Sequence, residues 1–479
     1  MVRRVVEVVL LLASGIYDLL KNADRFEDLE TGVYDLVRRA TLQLLEHCFE
    51  RIDQRLMAKR GQKFRVVGFR QRSMLSPFGE IRIRRRYYVD EHTGRRCFLL
   101  DEAMGLGKGD RVTPWLKKVA VRLAVDMSYH RAADLLKTLR LCEQQGSAMM
   151  VWREVQAAGR AARDAADRDR SAIFDRGEAP GGTRVAQSLD VEADEVWVPA
   201  RTRCGKRRKT SVKVAVAYEG KRLVEKDRRE LVNKRVICAV SEPDRFWEET
   251  VAGVGRIWDL GSVGRCNLGT DGASWLKKGC EYLPNASHRL DAYHLRRALI
   301  QALGHDEPAY QEVSDAVRCG DWTRVDTCLY RLQRSNHGGK RSMIHRLRRY
   351  LESNWDGIRG SGKAQSLGAI EGQVFHNVAR RMKRHGARWS ESGADHLARA
   401  LSARANGELG AFTESCTNID RKMLNRALPQ RAVDTCATGG TDDGSWLKVS
   451  MPVLQGPSAG KPWVKWVMRA LAEAGMDVA

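Results

Sequence analysis

The succession of strand-like and helix-like segments between residues 185 and 291 constrains the fold more than any other feature of the sequence. Five segments are rich in β-branched and apolar side chains: 185–198, 211–218, 235–240, 265–268 and 288–290. Two segments between the later strands, 243–260 and 273–282, have apolar residues at helical spacing. This order predicts a three-strand meander followed by two strands that cross over through helices, which is the order of a ribonuclease H-like core.

The region before this core is predicted to be mainly helical. Residues 1–60 have the period of two helices, and residues 61–112 alternate apolar with basic side chains, which predicts a basic β-hairpin. Residues 113–163 predict three short helices, an arrangement typical of a helix-turn-helix and equally of a small helical bundle. The hairpin could lie along a phosphate backbone or present a solvated sheet face. Residues 164–184 are polar and glycine-rich and predict a linker.

The region after the first part of the core (185–291) is predicted to be helical as well. Residues 292–365 have no strand pattern and predict an α-helical insertion. Residues 366–410 predict the final helices of the core, and the C-terminal tail, 411–479, is weakly patterned apart from an amphipathic helix at 462–474. The predicted fold class is therefore an α/β ribonuclease H-like catalytic core with an α-helical insertion.

The charge balance indicates a polyanionic partner. The chain has 83 Lys and Arg against 60 Asp and Glu, a net charge of +23. Double-stranded DNA is the leading candidate, because Lys and Arg displace phosphate counterions; a ribosome-associated or simply basic protein is the alternative. The eleven cysteines include no C-x-x-C pair, which disfavours a zinc ribbon and fits reduced thiols in the cytoplasm. No apolar run reaches the length of a membrane span, so we expect a cytoplasmic, nucleoid-associated protein without a membrane partner.

Three acidic residues stand where this core would bring them together. Asp194 is in the first strand, Asp271 follows the fourth strand, and Glu371 is at the start of the helix after the insertion. The carboxyl ends of parallel strands converge at one edge of a sheet, and a helix packed across that edge can add a third side chain. Asp190 is on the same face of the first strand and remains a rival for the first position.

Each acid also has a bland interpretation. An Asp before Gly, as at Asp271, is commonly a turn residue, and a Glu early in a helix, as at Glu371, commonly favours the helix dipole. Taken together in a basic chain, the three acids predict a site for Mg²⁺, with Mn²⁺ as the alternative metal, because hard cations prefer carboxylate oxygens. Two such ions can activate an attacking oxygen and stabilise a leaving one in phosphodiester chemistry.

Several blocks of the sequence resemble the ISLre-type bacterial insertion-sequence transposases. The blocks in the predicted core are Glu192-Ala193-Asp194-Glu195, Asp271-Gly272-Ala273-Ser274-Trp275, Asp291-Ala292-Tyr293-His294 and Glu371-Gly372-Gln373-Val374-Phe375-His376. The resemblance covers about residues 60 to 405. It implies a DDE transposase with a ribonuclease H-like core, distantly similar to Mutator-like transposases, in which Asp194, Asp271 and Glu371 bind the metal.

The same resemblance implies supporting roles for three further residues. Asp291 and His294 are similar to an acid-x-x-His pair that supports the active site in Mutator-like transposases, and His376 follows Glu371 by little more than one turn. A packed core histidine is the alternative interpretation of His294. The predicted function is metal-dependent DNA cleavage and strand transfer of an insertion sequence by a homo-oligomer, expected to be a dimer. The alternative is a transposase-derived DNA-binding protein without catalytic activity.

Overall fold

The computed structural model describes residues 2–142, 146–201, 208–225, 228–359, 367–384, 386–413 and 418–427. The chain divides into two compact units. The first unit comprises residues 1–113, 140–145 and 415–479, and the second comprises residues 114–139 and 146–414.

The first unit contains two long helices and a long β-hairpin. Its elements in chain order are α1 (Val2–Asn22), α2 (Phe26–Ala58), β1 (Phe64–Ser76), β2 (Gly79–Asp90), β3 (Arg96–Cys97) and α3 (Leu99–Met104). The three strands form one antiparallel sheet in the order β1-β2-β3, with α2 packed against β2. The two helices and the hairpin predicted within residues 1–112 are therefore confirmed. A further helix, Arg421–Ala427, belongs to this unit and packs on α2 and α3.

The hairpin has one apolar face and one basic face, as its alternating sequence predicts. Ile81 and Ile83 of β2 are buried in the core of the unit, whereas Arg82 and Arg84, which alternate with them, are exposed. Side chains of a strand point alternately to opposite faces, so the arginines share the outer face.

The second unit is built on a five-stranded mixed sheet. The strands of the unit are β4 (Ser188–Ala200), β5 (Arg208–Tyr218), β6 (Gly220–Glu225), β7 (Arg228–Val232), β8 (Arg235–Ala239), β9 (Arg265–Thr270) and β10 (Ala286–Leu290). Of these, β6 and β7 form a separate hairpin, and the other five form the main sheet. The strand order of the main sheet is β10-β9-β4-β5-β8. The first three strands of this sheet, β4, β5 and β8, are antiparallel neighbours, and β9 and β10 run parallel to β4. The predicted meander and crossovers are present, and the β6–β7 hairpin was not predicted.

Helices surround this sheet. Those that precede it are α4 (Pro114–Ala124), α5 (Tyr129–Thr138) and α6 (Ala148–Phe174), and those between its later strands are α7 (Pro243–Gly255), α8 (Ser274–Lys277) and α9 (Gly279–Tyr282). The helices that follow it are α10 (Ala292–Leu303), α11 (Glu307–Cys319), α12 (Trp322–Ser335), α13 (Gly338–Ser353), α14 (Trp355–Arg359), α15 (Ile370–Val374), α16 (Arg380–Met382), α17 (Glu391–Ala405) and α18 (Leu409–Thr413). A π-helical turn, Phe375–Ala379, joins α15 to α16, so residues 370–382 form one helical segment.

The two faces of β4 have different neighbours. Leu189, Val191 and Ala193 point into a buried apolar cluster with Phe246 and Trp247 of α7. The intervening residues of β4 point to the other face, where α15 packs against β4 and α17 packs against β8. This alternation places the even-numbered acids of β4 on the side of the helical segment 370–382.

The third helix of the predicted helix-turn-helix is much longer than the sequence indicates. It continues as α6 to Phe174, so the first eleven residues of the predicted linker, 164–174, are helical. Gly159 lets α6 cross α17 closely, because a Cβ atom there would lie 2.0 Å from the carbonyl oxygen of His396. Residues 113–163 group with the sheet rather than forming a unit of their own, apart from Thr113 and residues 140–145. Binding of DNA by these helices stays a prediction.

The predicted helical insertion is confirmed over residues 292–359. Helices α10 to α14 enclose an apolar cluster of their own, which includes Val313, Val325, Leu329, Ile344 and Leu351. Residues 360–365 of the predicted insertion and the predicted helix 462–474 lie outside the described residues. Within the described part of the chain, no helix has the length and apolar character that crossing a bilayer requires.

Candidate active site

Asp194 and Asp271 lie near each other where the parallel pairing of β4 and β9 ends. The register of β4 and β9 pairs Glu192 with Gly269 as its last pair. Asp194 and Asp271 each come two residues after this pair, so continuing the register sets them level, with Asp194 within β4 and Asp271 directly after β9. The sheet therefore brings two of the predicted acids together.

The electrostatics of Asp194 reflect this position. Burial raises the pKa of Asp194 to about 6, although the backbone N–H of Glu195 donates to its carboxylate and opposes the shift. The negative charge of Asp271 raises the pKa of Asp194 further. A partly desolvated carboxylate beside a second carboxylate gains most from a nearby cation.

The turn that carries Asp271 is held from two sides. Its own carboxylate accepts the backbone N–H of Ala273 at 2.8 Å, which shapes the turn before α8. Gly272 adopts a φ of +94°, and a Cβ atom there would lie 2.7 Å from the side-chain amide of Asn354. The hydroxyl of Tyr350 donates to the carbonyl oxygen of Asp271 at 2.8 Å. The helical insertion thus braces the Asp271 turn through Tyr350 and Asn354.

Asp291 and His294 lie next to the acid pair. Asp291 follows β10, accepts the backbone N–H of Tyr293 at the start of α10, and contacts Nδ1 of His294 at 2.7 Å. The hydrogen bond with Asp291 raises the pKa of His294, and the charges of Asp271 and Asp194 raise it further. The three carboxylates therefore favour the protonated form of His294.

Glu192 ties the helical segment 370–382 to β4. Its buried carboxylate accepts the backbone N–H groups of Gly368, Ala369 and Ile370 at 2.7, 3.0 and 3.2 Å, and it also accepts the hydroxyl of Tyr218. These N–H groups stand at the start of α15 and have no partner within the helix, so Glu192 acts as their acceptor. Glu192 lies two residues from Asp194 on the same strand face, and it anchors the helix on which Glu371 lies.

Glu371 is exposed at the beginning of this segment. By sequence spacing, Glu371 is predicted to head the apolar stripe of Val374, Val378 and Met382, but the buried residue at the head of that stripe is Ile370. The helix turns Glu371 away from the stripe because it is one residue further along, about 100° around the axis. Among the described residues, no group of three or more His, Cys, Asp or Glu side chains is placed to hold a metal ion. The structure thus brings together Asp194 and Asp271 but does not add Glu371 to them.

The remaining candidates lie away from the acid pair. His376 is exposed in the π-helical turn, its ring contacts Phe375, and its carbonyl oxygen accepts from Arg404. Asp190 lies opposite Asn267 in the register, and the amide of Asn267 donates to it at 2.7 Å. Four residues separate Asp190 from Asp194, about 13 Å along an extended strand, so Asp190 is not level with Asp271.

Sequence reasoning missed the residues that support the site. The sequence analysis includes Glu192 only as part of the block 192–195 and does not single out Tyr218, Tyr350 or Asn354. The partners of Glu192 are between 26 and 178 positions away from it in the sequence, so no local pattern indicates these contacts. The one available signal was a glutamate two residues from a candidate ligand on the same strand.

The acid pair fits a hard divalent cation. Two carboxylates side by side, one of them desolvated, supply the oxygen donors that Mg²⁺ and Mn²⁺ prefer. A bound cation would offset the repulsion between Asp194 and Asp271. In such a site, a divalent ion supplies charge stabilisation at a phosphodiester and activates the attacking oxygen.

The comparisons with known proteins concern most of the chain. A UPF0236 protein of Caldanaerobacter subterraneus subsp. tengcongensis is 23% identical over 398 residues, which cover 81% of this chain and 81% of that protein. A second UPF0236 protein of that organism, whose name joins eleven locus designations, is 22% identical over 398 residues, covering 81% of this chain and 80% of that protein. The UPF0236 protein in the vanSb 3′ region of Streptococcus gallolyticus is 24% identical over 416 residues, covering 83% and 86%. Residues 19–415 match the model of the uncharacterised protein family UPF0236, so the chain belongs to this family.

Proposed function

We propose that this chain is a DNA transposase that cleaves DNA and transfers the strands of an insertion sequence in a metal-dependent reaction. The observation that carries the proposal is the proximity of Asp194 and Asp271 where the parallel pairing of β4 and β9 ends. Paired carboxylates supply the oxygen ligands for the divalent metal ions that phosphodiester chemistry uses.

The topology supports assigning the sheet to the ribonuclease H-like class. Its first three strands form an antiparallel meander, and its last two strands are added in parallel beside the first. The relative whose name joins eleven loci supports the proposal independently, because many copies of one gene in a genome are what a mobile element leaves behind.

Each residue of the site has a proposed role. Asp194 and Asp271 would hold the metal, and Glu371 would complete its ligands after its side chain turns toward the pair. Asp291 orients His294, which offers a positive charge or a hydrogen bond to a phosphate near the acids. The Glu192 contacts hold the start of the Glu371 helix at the correct strand. Double-stranded DNA in the nucleoid is the proposed partner, and a dimer is the proposed working form.

The test compares Asp271→Asn with Asp259→Asn. Both aspartates accept a backbone N–H two residues later, Ala273 for Asp271 and Gly261 for Asp259, so the two substitutions alter similar turns. The substrate is a DNA fragment with this gene and its native flanking sequence. We expect Asp271→Asn to lower Mg²⁺-dependent cleavage about 100-fold or more while duplex binding stays within about twofold. Asp259→Asn should cleave like the unmodified protein. Full cleavage by Asp271→Asn would refute the proposal.

A second candidate function is DNA binding without catalysis. The exposed position of Glu371, and the absence of a metal-binding group of three within the part of the chain that the structure describes, favour it. Calorimetric titration with Mn²⁺ separates the two functions. If the protein is a transposase, it should bind Mn²⁺, and Asp194→Asn and Asp271→Asn should each weaken that binding. If it binds DNA without catalysis, the unmodified protein should bind Mn²⁺ no more tightly than these two variants.

A further inference from the structure

The second unit contains a basic, aromatic cleft at the far end of β4. Its volume is about 740 Å³, which is within the range of small-molecule sites. The first residues of α5 and α6, the residue after β4, and the segment between α16 and α17 line it. Residue 201 and residue 389 are joined there by a backbone hydrogen bond of 2.7 Å, which fixes the end of β4 to that segment.

The charge of this cleft is one-sided. Four arginines line it, namely Arg201, Arg381, Arg384 and Arg388, and none of its described lining residues is acidic. Arg201, Arg384 and Arg388 are exposed at the mouth. A concave surface lined by one sign of charge concentrates the opposite sign, so the ligand is an anion.

Arg381 forms part of the floor of the cleft. The residue is 9% exposed, and its guanidinium lies over the rings of Tyr129 and Trp389, at 5.0 and 5.4 Å from their centroids. Its Nε donates to the carbonyl oxygen of Ala124 at 2.9 Å, whereas its Nη2 is buried without a hydrogen-bond partner among the described residues. The ring faces offset part of the cost of this buried donor, and the guanidinium adds positive charge beneath the cleft.

Trp152 offers a flat apolar surface beside the arginines. It lies in the first turns of α6, lines the cleft, and is 38% exposed. Every nucleobase has a π-face that stacks on an aromatic side chain, and its phosphate pairs with arginine. An exposed tryptophan next to exposed arginines can therefore bind the base and the phosphate of one unpaired nucleotide.

We propose that this cleft binds an unpaired nucleotide of single-stranded DNA, with the base stacked on Trp152 and the phosphates held by Arg384 and Arg388. The choice of DNA as the nucleic acid rests on the proposed function. A base within a duplex is covered on both faces by its neighbours, so only an unstacked base can present its face to Trp152.

The position of the cleft relates it to the acid pair. Arg201 directly follows β4 and is seven residues beyond Asp194, about 23 Å along an extended strand. At 3.4 Å per residue of a DNA strand, this span corresponds to about seven nucleotides. The cleft therefore holds a nucleotide about seven positions from the phosphodiester bond at the acid pair.

The experiment measures binding of the full chain to a fluorescein-labelled thymidine oligonucleotide of about 20 nucleotides and to a duplex of equal length, both in EDTA. We expect Trp152→Ala to weaken single-strand binding about 5- to 150-fold, while duplex binding stays within about twofold. Trp152→Phe, which keeps an aromatic face, should lose less than about fivefold. Trp115, 56% exposed on α4 of the same unit, is the matched control, and Trp115→Ala should bind like the unmodified protein.

Two results would overturn this proposal. One is single-strand binding that Trp152→Ala leaves unchanged, and the other is an equal loss for single strand and duplex when thermal unfolding shows that the variant is folded. Because EDTA removes metal, neither result depends on the acid pair. Absence of Mg²⁺-dependent cleavage in the unmodified protein would instead refute the proposed function and leave the stacking measurement intact.

Discussion

Asp194 is a residue whose charge is disfavoured by its own fold. Burial and the nearby charge of Asp271 both raise its pKa, to about 6. Residues that lower stability in this way are concentrated at functional sites, where a ligand later compensates for them. A metal at the acid pair would be such a ligand.

The pH dependence of unfolding tests this at the residue scale. The folded pKa of about 6 lies above the ordinary value of 3.8, so between these values the folded state keeps a proton that the unfolded state has lost. The free energy of unfolding must therefore fall as pH rises through this window. The total decrease is on the order of 3 kcal/mol once Asp194 is fully ionised. We expect Asp194→Asn to raise the free energy of unfolding at pH 8 in EDTA and to have little effect at pH 4.

Urea unfolding at several pH values provides the measurement, with Asp259→Asn as a control that should follow the unmodified protein. Asparagine can still accept the N–H of Glu195, so the substitution removes the charge and little else. A destabilised Asp194→Asn at pH 8 would contradict the expectation.

At the scale of elements, the helical segment 370–382 depends on one buried carboxylate. Glu192 accepts three backbone N–H groups at its start, and the segment contains a π-helical turn, a feature that is frequent at functional sites. The position of Glu371 relative to the sheet follows from this attachment rather than from the propensity of a short helix.

Replacing Glu192 with Gln should loosen that attachment. The amide nitrogen of Gln is a donor, so at least one N–H at the helix start loses its acceptor, at a cost of about 1–3 kcal/mol. Hydrogen–deuterium exchange should become faster in peptides that cover residues 367–382 and stay unchanged in α7. Tyr218→Phe removes only the hydroxyl contact and should have the smaller effect. Unchanged exchange at residues 367–382 would show that other contacts hold the segment.

At the scale of the whole molecule, a net charge of +23 predicts strong, salt-dependent binding of duplex DNA. The outer face of the hairpin in the first unit contributes exposed Arg82 and Arg84, and Arg84 lies over the ring of Phe69 at 4.5 Å. This face is either a backbone-binding surface or a solvated one, and charge alone does not distinguish them.

The salt dependence of DNA binding distinguishes a backbone-binding hairpin face from a solvated one. Each phosphate contact adds about 0.9 to the slope of log K against log salt concentration. We expect the double variant Arg82→Gln/Arg84→Gln to reduce the slope for duplex DNA by about 2. Glu91→Gln, which alters an exposed ion pair with Arg65 in the same unit, is a control for surface substitution and should not reduce it. An unchanged slope in the double variant would identify the hairpin face as solvated.

The type and order of most elements follow from local periodicity and could be predicted from the sequence. The alternation in β4, the hairpin and the helical insertion could all be predicted from residues close in the chain. The end of α6 could not, because its stability comes from packing along α17, including the close crossing at Gly159. The β6–β7 hairpin likewise lacked a distinctive pattern.

Which acids lie close together depends instead on the pairing of strands in the folded protein. Register set Asp194, rather than Asp190, level with Asp271, and a shift of two residues in the pairing would have brought a different acid there. The tertiary structure also places the carboxylate of Glu192 at the start of a helix almost 180 positions later in the chain, and it leaves Glu371 exposed. Such relations arise from contacts between distant segments, which local sequence patterns do not encode.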